Sequence, residues 1–438
     1  MIHNISKDES EQRSFYRLLH NNRFDIESVK AFIYDDCARQ VEEGKHYLVI
    51  QDTTQPNFNR NEKNIGDKSG LGVIGDGASL GFFLHPGLVV GADDKRAIGY
   101  SHIETWSREA SPSKSAEEKK RHKEAQRKLP IEVKESYRWI KSANESKPVL
   151  EKAGMITVVC DREGDIGELF VQVPDEKTHL LVRSCSNRKI IGYDGDGQAV
   201  EAMLFEHLAG QKVSGEYEIE VKGDPRANRT DRKAKITIRF CRIAIEVAGA
   251  QIPLYAVEAK EDPSTVPAGE AAVHWRLLTT HVVETFERAK WVVGCYKLRW
   301  NIEQVFRVLK LKGFNVEGSD METGKALIQL TLMSLYAALK IMLVHLASKE
   351  KEPQPIKNTF TTEEMECLEA LNREYEGKTI KQKNPYAGNS LQWCYWVLAR
   401  LGGWKPHEKQ AGVISLTRGY AYFQKVLDGW NLYKKNVS

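Results

Sequence analysis

Tyr296, Arg299, Glu303, Arg307 and Lys310 recur at spacings that place all five on one side of a predicted helix. At about 100° per residue they fall within an arc of roughly 80°. Leu298, Ile302, Val305, Val308 and Leu309 form the opposite, apolar strip, which can rest on a core. One carboxylate held among cations and a phenol suits a group that must meet both a metal ion and a phosphate backbone. The spacing Tyr-x2-Arg-x3-Glu-x6-Lys is long and chemically mixed enough to be rare by chance.

Two further acids end predicted strands. Asp52 follows Tyr47-Leu48-Val49-Ile50-Gln51 and precedes the strand-breaking Thr53-Thr54-Gln55-Pro56. Asp161 follows Met155-Ile156-Thr157-Val158-Val159-Cys160 and opens Asp161-Arg162-Glu163-Gly164-Asp165. Ligand sites of α/β sheets form at the carboxyl ends of strands. Two strand-end aspartates and one helical glutamate can therefore converge there, and hard Mg²⁺ prefers such oxygen ligands. Taken singly, Asp52 and Asp161 read more readily as strand-end or capping aspartates than as catalytic ones, and Glu163 and Asp165 are neighbouring alternatives to Asp161.

Together these residues resemble the DDE-type bacterial insertion-sequence transposases, in the Tyr-Arg-Glu-Lys branch called the insertion-sequence-four family. The likeness runs from about Phe15 to Trp430. It rests on Gln51-Asp52-Thr53-Thr54, Lys134-Glu135-Ser136-Tyr137-Arg138-Trp139, Cys160-Asp161-Arg162-Glu163, His274-Trp275-Arg276-Leu277-Leu278-Thr279 and Tyr296 to Lys310. Arg400-Leu401-Gly402-Gly403-Trp404, Thr417-Arg418-Gly419-Tyr420 and Asp428-Gly429-Trp430 add to it.

The resemblance implies a transposase that nicks an element end, passes through a DNA hairpin, reopens it and inserts the free 3′-hydroxyl into a target. The implied cofactor is a pair of Mg²⁺ ions, replaceable by Mn²⁺, about 3.5–4 Å apart. Asp52 would bridge both ions, Asp161 would hold one and Glu303 the other. Tyr296, Arg299 and Lys310 would contact phosphates beside the cut, with Arg307 on the same face. Trp275 matches the position that stacks a flipped base, although a strand tryptophan facing the core is the plainer reading. Arg183 and Arg188 are weaker candidates for DNA contact. The implied partners are double-stranded DNA with terminal inverted repeats, target DNA and a second copy of the chain, forming a homodimer on paired ends.

Composition sets the frame. At 438 residues the chain exceeds one ordinary core. The net charge of +4 does not by itself mark a nucleic-acid binder. Arg226, Arg229, Arg232, Lys233 and Lys235 cluster in one segment, where phosphate contact is expected. The run from Lys114 to Lys128 alternates with glutamates and reads as a solvated helix face. Seven scattered cysteines and no apolar leader point to a reduced compartment, the bacterial cytoplasm and its nucleoid. Ala326 to Ala347 is about long enough to span a bilayer, but Lys340 and its polar companions favour a buried core helix and no membrane partner.

The expected architecture is α/β. It has a short helical segment over 1–45 and a ribonuclease-H-like catalytic core over 46–177 and 283–348. A β-rich inserted subdomain spans 178–282, and a mainly helical region over 349–438 is available for dimerisation. Strands are expected at 80–90, 97–105, 179–184, 217–222, 236–245 and 252–258, with a helix over 133–143. A different class of function is also open: a regulator short at its N-terminus that pairs with a full-length transposase and inhibits it. A third is a structure-selective nuclease without strand transfer. About fifty residues precede Asp52, fewer than the end-recognition domain expected of the family would need. The chain alone is therefore expected to bind terminal repeats weakly. Nanomolar, sequence-selective retardation in a gel-shift assay with competitor DNA would contradict this.

Overall fold

The computed structural model describes residues 9–21, 23–110, 115–193, 196–221, 223, 228–310, 314–350, 352–408 and 410–437. Lys114 and Arg226 lie outside them.

Runs rich in Val, Ile, Leu and Tyr form the strands. They are β1 (His46–Gln51), β2 (Gly72–Val73), β3 (Leu80–Gly81), β4 (Phe83–Gly91), β5 (Ala97–Trp106), β6 (Met155–Cys160) and β7 (Thr178–Arg183). They continue with β8 (Lys189–Tyr193), β9 (Ala199–Met203), β10 (Gly215–Val221), β11 (Arg232–Val247), β12 (Ala250–Glu261) and β13 (His274–Thr279). The helices begin with α1 (Glu9–His20), α2 (Ile26–Gln40), α3 (Ala116–Lys128), α4 (Tyr137–Val149), α5 (Leu169–Gln172) and α6 (Leu204–Gly210). Then follow α7 (Phe286–Lys297), α8 (Trp300–Leu309), α9 (Gly324–Ala347), α10 (Thr362–Tyr375), α11 (Leu391–Leu401) and α12 (Val413–Val437).

The fold is mixed α/β around one 11-stranded sheet, in the order β5-β4-β1-β6-β7-β13-β12-β11-β8-β9 with β10 beside β11. The small β2–β3 pair stands apart from it. Strands β1, β6 and β7 run parallel. Strand β4 is antiparallel to β1, and β13 is antiparallel to β7. Residues 178–282 are rich in strand, and β13, β12, β11, β8 and β9 continue the central sheet through β7.

Helices cover both faces of the central strands, which is why Tyr47 to Ile50 are all buried. Side-chain alternation sends Leu48 and Ile50 into a core shared with Val293, Ile302, Val305 and Leu327 of α7, α8 and α9. Tyr47 and Val49 enter the other core, with Trp139 and Ile140 of α4. Each such buried side chain contributes roughly 1.5–3 kcal/mol relative to exposure.

Helix α4 begins at Tyr137, later than expected, because a short 3₁₀ turn, Ile131–Val133, follows Pro130. Helix α9 is long and apolar enough to cross a membrane, but most of it is buried in the protein. Several of its polar side chains are bonded within the protein. Gln329 donates to the Phe24 carbonyl at 2.7 Å, and Lys340 donates to Glu364 at 3.3 Å. The hydroxyls of Thr331 and Ser334 each donate to the carbonyl four residues earlier, at 2.7 Å.

At the amino-terminal end of the parallel strands sits a histidine cluster. Thr157 Oγ1 lies 2.8 Å from His46 Nε2 and 2.7 Å from His281 Nε2. His179 stacks on His281 at 4.1 Å, and Arg288 lies 3.8 Å above the Trp291 ring beside them. Burial lowers His46 to about 4 and His281 to about 2, and it lowers His179 as well. Each ring therefore takes up a proton more readily in the unfolded chain, whose value is about 6.5. The stability held by the neutral rings is complete above that value and is lost as pH falls through it towards the folded values. Between pH 7 and pH 5 unfolding should become easier by on the order of 2 kcal/mol, read as a lower urea midpoint. In a His46→Gln/His281→Gln double variant this dependence should flatten. An unchanged slope would remove these rings from the pH response.

Candidate active site

The parallel register pairs Ile50 with Val159, so two residues further on Asp52 stands abreast of Asp161. Adjacent strands are about 4.8 Å apart, and alternation turns both aspartates to the face that carries α7 and α8. Asp52 accepts from the Thr53 amide at 2.8 Å and from Arg299 Nη1 at 2.8 Å. Asp161 also caps the 3₁₀ turn Arg162–Gly164, accepting from the Glu163 amide at 2.8 Å.

Arg299 joins the third acid to this pair. Its Nη2 forms an ion pair with Glu303, four residues on, while its Nη1 holds Asp52. Asp52 and Glu303 are thus within the span of a single guanidinium. Burial is the main reason that the Asp52 carboxyl is raised to about 7; Arg299 opposes the rise, and Asp161 and Glu303 add to it. Burial disfavours the Arg299 charge, but Asp52 and Glu303 more than compensate and hold it cationic.

The stripe from Tyr296 to Lys310 does not lie on one continuous helix. Helix α7 ends at Lys297 and α8 begins at Trp300. Between them Leu298 bonds to the Cys295 carbonyl at 3.1 Å and Arg299 to that of Tyr296 at 3.0 Å, the tighter i to i−3 pattern. That turn changes the angular spacing between Tyr296 and the residues carried by α8. Tyr296 is buried, with no well-formed hydrogen bond on its hydroxyl, in the field of Arg299 and Arg183. Lys310 caps the end of α8 and donates to the Gln55 carbonyl at 2.7 Å, which ties it to the loop after Asp52. Arg307 is exposed and its charge bears on His345 of α9.

Trp275 is half-buried on β13 against the core, 6.2 Å edge-on from Tyr296. Arg183 donates to the His274 carbonyl at 3.3 Å and stays near Tyr296. Arg188 pairs with Asp165, whose side chain is fully buried and also accepts from the Cys185 amide at 2.8 Å. Both groups are thereby engaged with each other. Glu163 is exposed and bound to Arg138 at 2.5 Å.

The basic cluster after β10 is not a bare phosphate site. Arg232 donates to both Glu261 oxygens at 2.8 Å and to Glu270 at 2.7 Å, and Lys235 pairs with Glu216 at 2.8 Å. Glu216 and Glu261 reach the cluster by strand pairing, and Glu270 from the segment before β13. Arg138, within Lys134–Trp139, has no role legible from the sequence. The structure sets it against Thr53 and between the Trp106 and Trp139 rings, at 5.2 and 5.5 Å.

No protein-family model matches the chain. Among the described residues, no three acid, His or Cys side chains stand close enough to hold a metal ion. The donor chemistry nonetheless suits a hard cation. Arg299 supplies a positive charge between Asp52 and Glu303, where such a cation would have to sit, so the acids fit an ion only once Arg299 lets go. The charges predict opposite shifts of Asp52. Arg299→Gln should raise its carboxyl above about 7, and Asp161→Asn should lower it, both read from carboxyl ¹³C shifts against pH. Movement in the same direction, or none, would break the proposed coupling.

Proposed function

We propose that this chain is a DNA transposase of the DDE type, acting in the bacterial cytoplasm on the nucleoid. The observation that carries this reading is the placement of Asp52 and Asp161 abreast at neighbouring strand ends, with Glu303 one guanidinium away. The order β5-β4-β1-β6-β7, with acids ending β1 and β6, supports a ribonuclease-H-like core. Arg299, fastened to Asp52 itself, puts a cation beside the acids, and Lys310, paired with Glu317 at 3.6 Å, is fastened to the loop after Asp52. Phosphate contacts from such cations fix the register of a DNA strand.

Asp52, Asp161 and Glu303 would hold Mg²⁺ or Mn²⁺. When bound, the metal pair supplies an activated attacking oxygen and stabilises the leaving oxygen. The part of the chain itself is to gather the three acids and to move Arg299 from carboxylate to phosphate as the DNA backbone arrives. Hairpin formation, strand transfer and a homodimer on paired inverted repeats belong to the same proposal.

One observation favours a second reading, the non-catalytic regulator: Arg299 already neutralises two of the three acids. Incubating the protein with end-labelled duplexes of the DNA flanking its coding region, plus Mg²⁺, separates the readings. Nicks, hairpins and joined products are expected. Uncut DNA would favour the regulator, and cutting without joining would favour a nuclease. Asp161→Ala should lower cleavage by about a thousandfold or more. Cleavage near the wild-type rate would remove Asp161 from the chemistry.

A further inference from the structure

On the side of β1 away from Arg299, a chain of buried polar groups ends at a hydroxyl beside Asp52. Gln51 is fully buried. With its amide nitrogen turned inward it donates to His85 Nε2 at 3.3 Å and to the Trp139 carbonyl at 3.2 Å. Its oxygen accepts from the Ala143 amide at 3.1 Å. The opposite orientation turns the oxygen towards acceptors and the nitrogen towards donors. Because Nε2 of His85 accepts, its ring proton belongs on Nδ1. Burial keeps that ring neutral, and the edge of the pair it forms with Trp139 fixes its plane at 4.6 Å.

His85 Nδ1 lies 2.9 Å from Thr53 Oγ1, and Arg138 Nε donates to the same oxygen at 3.3 Å. A hydroxyl has two acceptor sites and one proton. Two incoming donors fill the acceptor sites, so the Thr53 proton is left for a third group. Thr53 is half-exposed, follows Asp52 directly and bonds to that carboxylate through its own amide. Arg138 is itself held by Glu163 and by the Glu135 carbonyl, the latter at 3.1 Å, so its position does not depend on Thr53.

We propose that Thr53 is a substrate-contacting residue whose hydroxyl donates to a non-bridging phosphate oxygen of the strand bound at Asp52 and Asp161, with His85, Gln51 and Arg138 as positioning residues that keep its proton turned outward. Phosphate oxygens only accept, and Ser and Thr hydroxyls are among their regular donors. This assignment rests on the nuclease reading of the acids. It adds a neutral donor on the α4 face to the cations on the α8 face.

The test has two parts. The first is the tautomer of His85 in the full-length protein, read from side-chain ¹⁵N–¹H correlations and assigned by loss of the signal in His85→Gln. A proton on Nδ1 is expected. A proton on Nε2 would overturn the proposal, because Thr53 would then give its own proton to His85. The second is cleavage of the same flanking duplex with Mg²⁺. Thr53→Val should lower kcat/KM about tenfold to a hundredfold, the size of a lost bond to a charged group. Thr53→Ser should restore most of it. Equal loss in Val and Ser, or full activity in Val, would overturn the proposal. An inactive wild type would count against the nuclease reading, while the tautomer still decides the network.

Discussion

The Arg299 guanidinium is the interaction around which the site is organised. It bonds a carboxylate 247 residues away in sequence and another four residues along its own helix. Without it, Asp52 and Glu303 would share a half-buried space as like charges. A buried ion pair adds little net stability by itself, but removing one partner leaves an uncompensated charge at a cost of about 3–5 kcal/mol. Arg299 therefore secures the α7–α8 turn against the strand ends and sets the position of Glu303.

The central sheet gives the molecule two chemically different ends. Because β1, β6 and β7 run parallel, their carboxyl ends collect Asp52 and Asp161 while their amino ends collect His46, Thr157 and His179. At one end burial pushes a carboxyl towards neutrality; at the other it keeps imidazoles neutral. The two faces differ as well. The α8 face of the strand ends carries cations that pair with acids. The α4 face carries Gln51, His85 and Thr53, a neutral chain linked by hydrogen bonds.

Strand pairing also decides which cations are free to act. Arg232 and Lys235 look like an open basic patch in the sequence, but β10, β12 and the segment before β13 bring Glu216, Glu261 and Glu270 against them. Arg188 is likewise taken up by Asp165. Arg299 and Lys310 are taken up too, the first by Asp52 and Glu303 and the second by Glu317.

Much of this was legible in one dimension. Unbroken apolar runs ending in aspartate located β1 and β6, since a strand buried on both faces needs apolar residues at every position. The 3.6-residue rhythm of Ile302, Val305, Val308 and Leu309 located the buried side of α8, and Glu303 fell on its open side as that rhythm requires. Tertiary structure decided the rest. The break at Leu298–Arg299 sets Tyr296, buried on α7, apart from the residues of α8. The β1–β6 register sets Asp52 beside Asp161, and strand pairing alone can bring residues over a hundred positions apart into line. The tautomer of His85 depends on an amide in one strand, a ring in another and a helix backbone. Local sequence fixes which groups exist and which way each element faces; only packing between distant elements determines which charges are paired and which proton is free.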